Sequence, residues 1–239
     1  MIFSLTSLSA HNLEQSVNSE DRSPDNVARD IYRHPYETLS FFGIKPDMTV
    51  VELNPGGGWY TEILANYIHY PGTLITAQGS YYFEGFEKKM NSNPMYGRVE
   101  IVNLNSNLAE PNSVDAVITF RNLHNWLGAD MDSIFRSSFK ALKPGGSFGV
   151  VEHRAKPGTD FETMKTSGYV TEDHAIEVAL KHGFELVEKS EINANPKDTK
   201  DHAKGVWTLP PTYRLKDKDK EKYSAIGESD RMTLLFKKP

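Results

Sequence analysis

Glu52 and three consecutive glycines, Gly56 to Gly58, form the pattern in this chain that points most directly to chemistry. Glycine allows a sharp turn and lets a ligand approach the main chain without meeting a Cβ atom. A helix that starts just after such a loop presents unpaired N–H groups and a positive end to the ligand. The residues therefore predict a ligand-binding loop. A glycine-rich turn that binds nothing is the alternative interpretation.

The spacing of the loop is Glu-x-x-x-Gly-x-Gly, and this differs from two common nucleotide sites. A dinucleotide-binding fold would show Gly-x-Gly-x-x-Gly, and a P-loop would show Gly-Lys followed by Ser or Thr. Neither arrangement is found at this loop. The spacing therefore argues against a dinucleotide site and excludes a P-loop here.

Polar side chains also follow the other predicted strands, at the point where each strand ends. Ligands of open α/β sheets bind beyond the carboxyl ends of the strands, so these positions are candidates for a site. They are Asn54, Gln78, Asn103, the run from Arg121 to Trp126, and Glu152-His153-Arg154.

The elements that would position these residues alternate along the chain. Apolar runs predict strands at 49–53, 73–77, 99–102, 114–120, 147–152, 184–192 and 232–236. Helical periodicity and capping residues predict helices at about 58–69, 83–91, 131–142 and 171–182, with a turn at 143–146. The alternation predicts an α/β fold with a mostly parallel sheet and helices on both faces.

Three stretches lie outside this alternation. Residues 11–22 are polar, and residues 1–22 are predicted to form a flexible N-terminal segment. Residues 23–44 predict a helical cap of two helices, the first of which ends near Pro35 because proline disfavours helical geometry in the residue before it. Residues 193–231 form an insertion that is too long for a plain connection and is a candidate substrate cover. Residues 23–239 are predicted to form a single domain.

The composition limits the classes of partner. The chain has 239 residues, a formal net charge of −5 and no long basic stripe, which argues against nucleic acid as a partner. It has no cysteine, which excludes disulfides, Cys-zinc sites and thiol catalysis. No apolar run approaches the ~20 residues of a membrane span. Residues 1–10 lack the features of a signal peptide, so we expect a cytoplasmic protein. A periplasmic location after loss of a leader stays open.

Two further patterns accompany the glycine loop. Asp115-x-Val117 is followed by Asn122-Leu123-His124, and Leu142-Lys-Pro-Gly-Gly146 comes after the next predicted helix. Together with the loop, over about residues 45–190, they resemble the class I S-adenosylmethionine-dependent methyltransferases that act on small molecules. The resemblance implies a Rossmann-like, doubly wound, mostly parallel seven-stranded sheet with an antiparallel last strand. It also implies methyl transfer to a small-molecule substrate.

More narrowly, the chain resembles a bacterial group of predicted methyltransferases without an assigned substrate. The segments that carry this likeness are 33–35, 41–43, 55–61, 121–126, 151–154, 190–196, 205–211 and 227–231. The likeness extends over most of the chain, and it implies a bacterial enzyme whose methyl acceptor is not assigned.

The resemblance also implies how S-adenosylmethionine would bind as the cofactor. The three glycines would admit its methionine portion, Gln78 would meet the ribose, and Asn103 or a neighbour would meet the adenine. The family usually has an acidic residue where this chain has Gln78, so the ribose would lack a charged acceptor. The expected cofactor-binding residues are Glu52, Asn54, Gly56, Gly57, Gly58, Tyr60, Gln78, Asn103, Leu104, Arg121 and Asn122.

His124 is the expected catalytic residue, as a general base on a hydroxyl or amine of the acceptor. A residue that only packs in the wall of the site is the alternative. The expected substrate-binding residues are Trp126, Glu152, His153, Arg154, Asn195, His202 and Trp207. No His-x-x-His or His-Glu-x-x-His spacing occurs, so no metal is expected.

Two rival functions stay open at this point. Gln78 and the lack of an acidic residue after the third strand also fit a protein that binds S-adenosylmethionine or S-adenosylhomocysteine without methyl transfer. A metal-dependent enzyme on the same fold would use Glu152 with histidines such as His124 and His202. The sequence does not indicate the oligomeric state.

Overall fold

A seven-stranded sheet forms the centre of the computed structural model, which describes residues 12–80 and 83–239. The strands are β1 (Thr49–Leu53), β2 (Thr73–Gln78), β3 (Val99–Asn103), β4 (Val114–Phe120), β5 (Leu142–His153), β6 (Glu185–Ser190), β7 (Ala203–Val206) and β8 (Arg231–Lys237). Their order in the sheet is β3-β2-β1-β4-β5-β8-β6, and β7 lies outside it. Only β8 runs antiparallel to its neighbours in this sheet. The predicted Rossmann-like sheet with an antiparallel last strand is confirmed.

Helices connect the strands and cover the sheet. They are α1 (Leu13–Val17), α2 (Pro24–Val27), α3 (Asp30–Arg33), α4 (Pro35–Phe41), α5 (Thr61–Tyr67), α6 (Phe83–Met90), α7 (Leu123–Trp126), α8 (Ala129–Ala141), α9 (Phe161–Ser167), α10 (Glu172–Lys181) and α11 (Lys220–Ile226). Within the described part of the chain, no helix has the length and apolar character of a membrane span. The expectation for a leader at residues 1–10 falls outside that part.

The two faces of the sheet bury separate hydrophobic clusters. In β1, Val50 belongs to the cluster that contains Leu39 of α4 and Ile63 of α5. Its neighbour Val51 belongs to the other cluster, with Phe135 of α8. Full burial of each such side chain contributes roughly 1.5–3 kcal/mol. Because both faces are covered, the successive residues Val50 and Val51 are both apolar, and the carboxyl end of the strand is held in a fixed place.

Helix α1 replaces part of the segment that was expected to be flexible. Asn12 Oδ1 accepts a hydrogen bond from the Gln15 backbone N–H at 2.8 Å, and the Gln15 side chain accepts one from the Asn12 backbone N–H at 2.9 Å. This reciprocal pair is a capping box. Leu13 and Val17 are buried in the cluster that contains Val50. Two polar residues of this segment, Asn12 and Gln15, therefore cap a helix that packs on the core. Residues 1–11 of the predicted flexible segment lie outside the described residues.

The helical cap contains three short helices where two were predicted. Helices α2 and α3 take the place of the single helix that was expected to end near Pro35. His34 adopts φ +41° and ψ +57°, so α3 ends there and α4 begins at Pro35. The clash of a proline ring with helical geometry in the preceding residue accounts for this break.

The segment 143–146, which was predicted to be a turn, lies within β5. Leu142 already pairs with Val114 of β4, and the pairing register shifts before it resumes between Ala116 and Ser147. The glycines therefore form an irregularity inside the strand. Helix α9 had no predicted counterpart.

Candidate functional site

A cavity of about 330 Å³ lies beyond the carboxyl ends of β1, β4 and β5. Its lining comes from the glycine loop, from the ends of β4 and β5, from the helical cap and from the insertion before β8. Among the lining residues are Arg29, Arg33, Gly56, Gly57, Arg121, His124, His153, Trp207 and Glu228. The cavity therefore occupies the place where ligands of open α/β sheets bind.

The glycine loop presents bare main chain to this cavity. Gly56 has φ +59°, a conformation that other residues rarely adopt. A Cβ atom added at Gly56 or Gly57 would meet nothing within 4 Å, so the space above both residues is open. At Gly58 an added Cβ would lie 3.2 Å from the Phe86 ring, and Gly58 is absent from the lining. The first two glycines thus shape a cradle, and the third allows close packing.

Asn54 and Asn122 hold the ends of β1 and β4 together. Asn54 Nδ2 donates to Asn122 Oδ1 at 2.9 Å, and Asn122 Nδ2 donates to the carbonyls of Leu53 and Asn54 at 3.2 Å. Asn54 also accepts a hydrogen bond from the Gly79 backbone N–H after β2, at 3.3 Å. Asn54 has φ +48°, which asparagine tolerates better than most residues. Both amides line the cavity and fix the start of the loop.

Glu52 and Gln78 lie behind the loop instead of lining the cavity. Glu52 is 2% exposed and accepts a hydrogen bond from Thr61 Oγ1 at 2.6 Å. Burial raises the pKa of Glu52 to about 7, although the hydrogen bond from Thr61 opposes the rise. Gln78 Nε2 donates to the Gly56 carbonyl at 3.0 Å, while Gln78 Oε1 is buried without a hydrogen-bond partner among the described residues. The loop is therefore supported from below by two polar side chains, one of which keeps an unused acceptor.

Three other residues that were expected at the cofactor are absent from the lining of the cavity. The Tyr60 hydroxyl donates to the Arg33 carbonyl at 3.1 Å, and its ring stacks on Phe120 with centroids 3.5 Å apart. Leu104 is a core residue. Asn103 Oδ1 accepts a hydrogen bond from the backbone two residues later, at 2.9 Å. In this structure each of them supports a wall or a turn.

His124 and Glu152 form a hydrogen-bonded dyad at the ends of β4 and β5. His124 Nδ1 lies 3.0 Å from Glu152 Oε1. The Glu152 carboxylate is fully buried and also accepts the backbone N–H groups of His124 at 3.3 Å and His153 at 2.7 Å. Because Nδ1 is engaged, Nε2 is the His124 nitrogen that is available to a ligand. The carboxylate fixes the orientation of the ring, as in hydrolases that use a histidine base.

His153 lies beside this dyad and borders the same cavity. Its ring centroid is 5.2 Å from that of His124, and its Nδ1 lies 2.5 Å from Ser229 Oγ. Burial lowers the pKa of His153 well below its ordinary value, and the nearby His124 and arginines act in the same direction. His153 is therefore a neutral imidazole at physiological pH.

His124, Glu152 and His153 each offer a ligand atom, and these atoms all lie within 4.8 Å of one another. Two imidazoles and a carboxylate are suitable ligands for zinc or iron. The donors described above already engage both Glu152 oxygens, so hydrogen bonding accounts for the grouping. That no metal takes part stays a prediction.

Four arginines surround one carboxylate at the wall formed by the helical cap and the insertion. We call Arg29, Arg33, Arg121 and Arg231, together with Glu228, the arginine cluster. Arg29 Nε donates to Glu228 Oε1 at 2.6 Å, Arg33 Nε donates to Glu228 Oε2 at 3.3 Å, and Arg231 Nη2 donates to the same Oε2. Burial alone would raise the pKa of Glu228, but the four arginines lower it to about 2. Glu228 is therefore a buried carboxylate at any ordinary pH.

Arg121 reaches this cluster from the end of β4. It has φ +62°, and its backbone N–H donates to the Val151 carbonyl at 2.7 Å. Burial lowers the pKa of Arg121 to about 10, and the nearby Arg231 adds to this effect. The side chain is still a cation at neutral pH, and it lines the cavity. The predicted cofactor-binding residues Arg121 and Asn122 are thus both at the site.

Trp126 and Arg154, expected at the substrate, are placed outside the lining of the cavity. Trp126 is buried in the cluster that contains Val51. Arg154 donates hydrogen bonds to Glu172, Glu191 and Asp230 at 2.7–3.0 Å. These partners hold its guanidinium in a separate ion-pair network. Arg154 is placed there because it pairs with carboxylates that lie 18 to 76 positions away in the chain, and the sequence alone does not show that these residues meet.

The insertion contributes one of its three expected residues to the cavity. Trp207 lines it, with its ring centroid 6.0 Å from that of His124. Asn195 Nδ2 instead donates to the Glu228 carbonyl at 2.6 Å, and His202 Nε2 lies 2.8 Å from Asp198 Oδ1. Asn195 and His202 therefore brace the insertion from within, and Trp207 is its contact with the dyad.

Several lining residues were not among the predicted site residues. Trp59 donates its indole N–H to the Asn26 carbonyl at 3.0 Å, and the Arg33 guanidinium lies 4.6 Å from its ring centroid. Arg29 and Arg33 come from the predicted helical cap, for which the sequence indicated no individual site residue. The only local signal for Arg33 was that segment 33–35 resembles the bacterial group of predicted methyltransferases.

Comparisons with known proteins agree with this architecture. Residues 51–150 match the family model described as a methyltransferase domain. No curated protein gives a significant match. Many solved structures share the fold, among them a SAM-dependent methyltransferase from Aquifex aeolicus, with 14% identity and a TM-score of 0.63. That match covers 96% of this chain and 100% of the other.

Two other solved structures illustrate how widely this fold is used. Geranyl diphosphate C-methyltransferase from Streptomyces coelicolor, solved with Mg²⁺, geranyl diphosphate and S-adenosylhomocysteine, is 12% identical with a TM-score of 0.63, over 96% of this chain and 89% of the other. The [4+2]-cyclase SpnF is 18% identical with a TM-score of 0.61, over 95% and 91%. At such identities the likeness shows the fold alone.

The family match and the fold together give a coarse conclusion. Residues 51–150, less than half of the chain, match a methyltransferase-domain model, and the fold is similar to that of a SAM-dependent methyltransferase. S-adenosylmethionine is the cofactor of such a domain.

Proposed function

We propose that this protein transfers a methyl group from S-adenosylmethionine to a small-molecule acceptor in the cavity between the glycine loop and His124. The observation that carries the proposal is that a candidate cofactor-binding loop and a candidate base line the same cavity. Open main chain at Gly56 and Gly57 lies on the same cavity as a histidine that a buried carboxylate orients.

The residues of the loop fit the cofactor. Gly56 and Gly57 leave open the space that a side chain would fill, and this space would take the methionine portion. Asn54 and Asn122 keep the loop in place through their amide pair. Gln78 Oε1, which is buried and without a partner among the described residues, offers one acceptor for a ribose hydroxyl. Glu52 supports the loop from behind, and Asn103 is proposed for the adenine.

The chain's own residues would orient the acceptor and take up its proton. S-adenosylmethionine supplies an electrophilic methyl carbon on a sulfonium leaving group. As the acceptor oxygen or nitrogen forms its bond to this carbon and the carbon–sulfur bond breaks, the acceptor's proton passes to His124 Nε2. Glu152 holds the His124 ring through Nδ1 and stabilises the imidazolium that results. Trp207 and the cap would exclude water and fix the reacting groups.

Binding and turnover measured together would test this function. Calorimetry should show that the protein binds S-adenosylmethionine and S-adenosylhomocysteine, and release of labelled methyl groups should occur with members of a panel of small hydroxyl and amine compounds. His124→Ala and Glu152→Gln should keep the affinity for S-adenosylhomocysteine within about threefold and lower kcat by about 10²–10⁴.

Three other outcomes would change the assignment. Unaltered turnover in His124→Ala would remove His124 as the base. Binding without turnover over the whole panel would favour a binding protein. Turnover that a chelator abolishes and zinc restores would favour a metal at His124, Glu152 and His153, whose ligand atoms lie within 4.8 Å of one another.

A further inference from the structure

The arginine cluster carries more positive charge than its own carboxylate balances. Its four guanidinium groups share the single carboxylate of Glu228. His153 is neutral because burial lowers its pKa. If the Glu152 carboxylate beside His124 is also counted as charged, two positive charges remain without a partner at the wall of the cavity.

Arg33 points to the kind of group that would balance this charge. It is 2% exposed and lines the cavity, and both of its terminal nitrogens, Nη1 and Nη2, are buried without a hydrogen-bond partner among the described residues. Buried guanidinium N–H groups without acceptors are unfavourable. The two parallel N–H groups of a guanidinium match the two oxygens of a carboxylate or phosphate.

Arg121 brings a second guanidinium to the cavity. Its side chain makes no hydrogen bond to any described residue, and it is not among the buried groups without partners. It therefore reaches the cavity with its donors available. Arg33 comes from the cap and Arg121 from the end of β4, so a ligand between them would contact both walls.

The cofactor does not supply the missing negative charge. S-adenosylmethionine has one carboxylate, but its ammonium and sulfonium groups are both positive, so it enters with a net charge of +1 at neutral pH. Its carboxylate could pair with one guanidinium, and the site as a whole would still become more positive. An anion other than the cofactor's carboxylate is therefore needed to balance the charge of the arginine cluster.

We infer that the methyl acceptor is an oxyanion: a small molecule whose carboxylate or phosphate group is bound by Arg33 and Arg121. This inference rests on the proposed function and names its substrate class. In that arrangement the anionic group anchors the acceptor at the arginine cluster, and the hydroxyl or amine to be methylated faces His124 Nε2.

Titration with simple anions would test the inference. Inorganic phosphate and malonate would be titrated calorimetrically into the free protein and into protein saturated with S-adenosylhomocysteine. The variants are Arg121→Gln, which breaks no side-chain hydrogen bond of the described fold, and Arg33→Gln. The matched control is Arg136→Gln, which removes the same charge from the exposed face of α8.

We expect the wild type to bind phosphate or malonate, and whichever binds more tightly identifies the anionic group. Arg121→Gln and Arg33→Gln should each weaken that binding at least tenfold, and by a clearly larger factor than they weaken the binding of S-adenosylhomocysteine. Arg136→Gln should change neither. If Arg33→Gln fails to fold, Arg121→Gln alone decides.

Three results would overturn the inference. The first is a wild type that binds neither anion. The second is an Arg121→Gln variant that binds the anion as tightly as Arg136→Gln does. The third is an affinity for S-adenosylhomocysteine that falls in Arg33→Gln and Arg121→Gln as much as the affinity for the anion. The last result would assign the arginines to the cofactor's carboxylate. Failure of the proposed function is seen separately, as a wild type that does not bind S-adenosylhomocysteine. The anion titrations of the free protein still test the cluster in that case.

Discussion

Glu52 combines a structural position with an unusual acid–base property. It ends β1 just before the glycine loop, and Thr61 Oγ1 of α5 is its hydrogen-bond donor at 2.6 Å. Burial raises its pKa to about 7 from an ordinary value of 4.5, against the opposing effects of Thr61 and Lys89. The carboxyl group therefore links the strand to the helix on either side of the loop, and its charge depends on pH near neutrality.

This pKa predicts a pH dependence of stability. Folding raises the pKa, so the stability that Glu52 contributes is fully present below pH 4.5 and is lost as the pH rises through about 7. Between pH 5 and pH 8, the free energy of unfolding of the wild type should fall by about 2–3 kcal/mol relative to that of Glu52→Gln. Urea unfolding of both proteins at the two pH values measures the difference. A difference that stays the same at both would contradict a raised pKa.

Polar residues just after predicted strands indicated where the cavity lies, because the topology of a parallel sheet brings the carboxyl ends of its strands to one edge. Asn54, the glycines, Arg121, Asn122 and His124 were all predicted at the site from their positions just after strands, and all except Gly58 line the cavity. Whether a side chain faces the cavity or lies behind it depends on packing in three dimensions. Glu52 and Gln78 show this, since both support the loop from outside the lining.

At the scale of elements, Glu228 joins the helical cap to the insertion before β8. Its carboxylate accepts hydrogen bonds from Arg29 and Arg33 of the cap and from Arg231 at the start of β8. The first two pairs connect residues that lie 199 and 195 positions apart in the chain. The walls of the cavity on these two sides are therefore tied through one buried group.

Removing that charge should loosen both walls. Glu228→Gln should lower the free energy of unfolding by about 3–5 kcal/mol, because it leaves buried guanidinium groups without their shared carboxylate. Urea unfolding measures this, with the exposed Glu188→Gln as the control. A loss below about 1 kcal/mol, equal to that of the control, would show that the cluster does not hold the cap to the insertion.

Element boundaries followed the sequence where local signals were strong. Strand β4 has its predicted limits, and the helix predicted to begin at 171 is α10, which Thr171 caps with its Oγ1 accepting the His174 backbone N–H at 3.2 Å. Helix α1 was missed although Asn12 and Gln15 form a local capping signal for it. The arginine cluster was missed because it depends on contacts between residues far apart in the chain, and a local pattern of residue types does not encode such contacts.

At the scale of the whole molecule, the charge distribution and the fold act together. The chain has a net charge of −5, yet four arginines surround Glu228 at the wall of one cavity, and three of them line it. The sheet aligns the ends of β1, β4 and β5, the cap supplies two of these arginines, and the insertion supplies Trp207 and Glu228. A positive cavity in an acidic protein favours a small anionic ligand that the cavity can enclose over a large polyanion such as nucleic acid.

The central claim is that the open main chain at Gly57 receives S-adenosylmethionine. An added Cβ at Gly57 meets no atom within 4 Å, and the residue does not have a positive φ, so Gly57→Ala should leave the free energy of unfolding within about 0.5 kcal/mol. The matched control is Gly85→Ala on α6, which lies away from the cavity, and it should raise the free energy of unfolding by about 0.5–1 kcal/mol because alanine has the higher helix propensity.

Calorimetric titration of S-adenosylhomocysteine into the wild type, Gly57→Ala and Gly85→Ala tests this claim most directly. The wild type and Gly85→Ala should bind with the same affinity. Gly57→Ala, folded to the same extent, should bind at least tenfold more weakly because its methyl group occupies the cradle. Equal affinity in all three proteins would contradict the account.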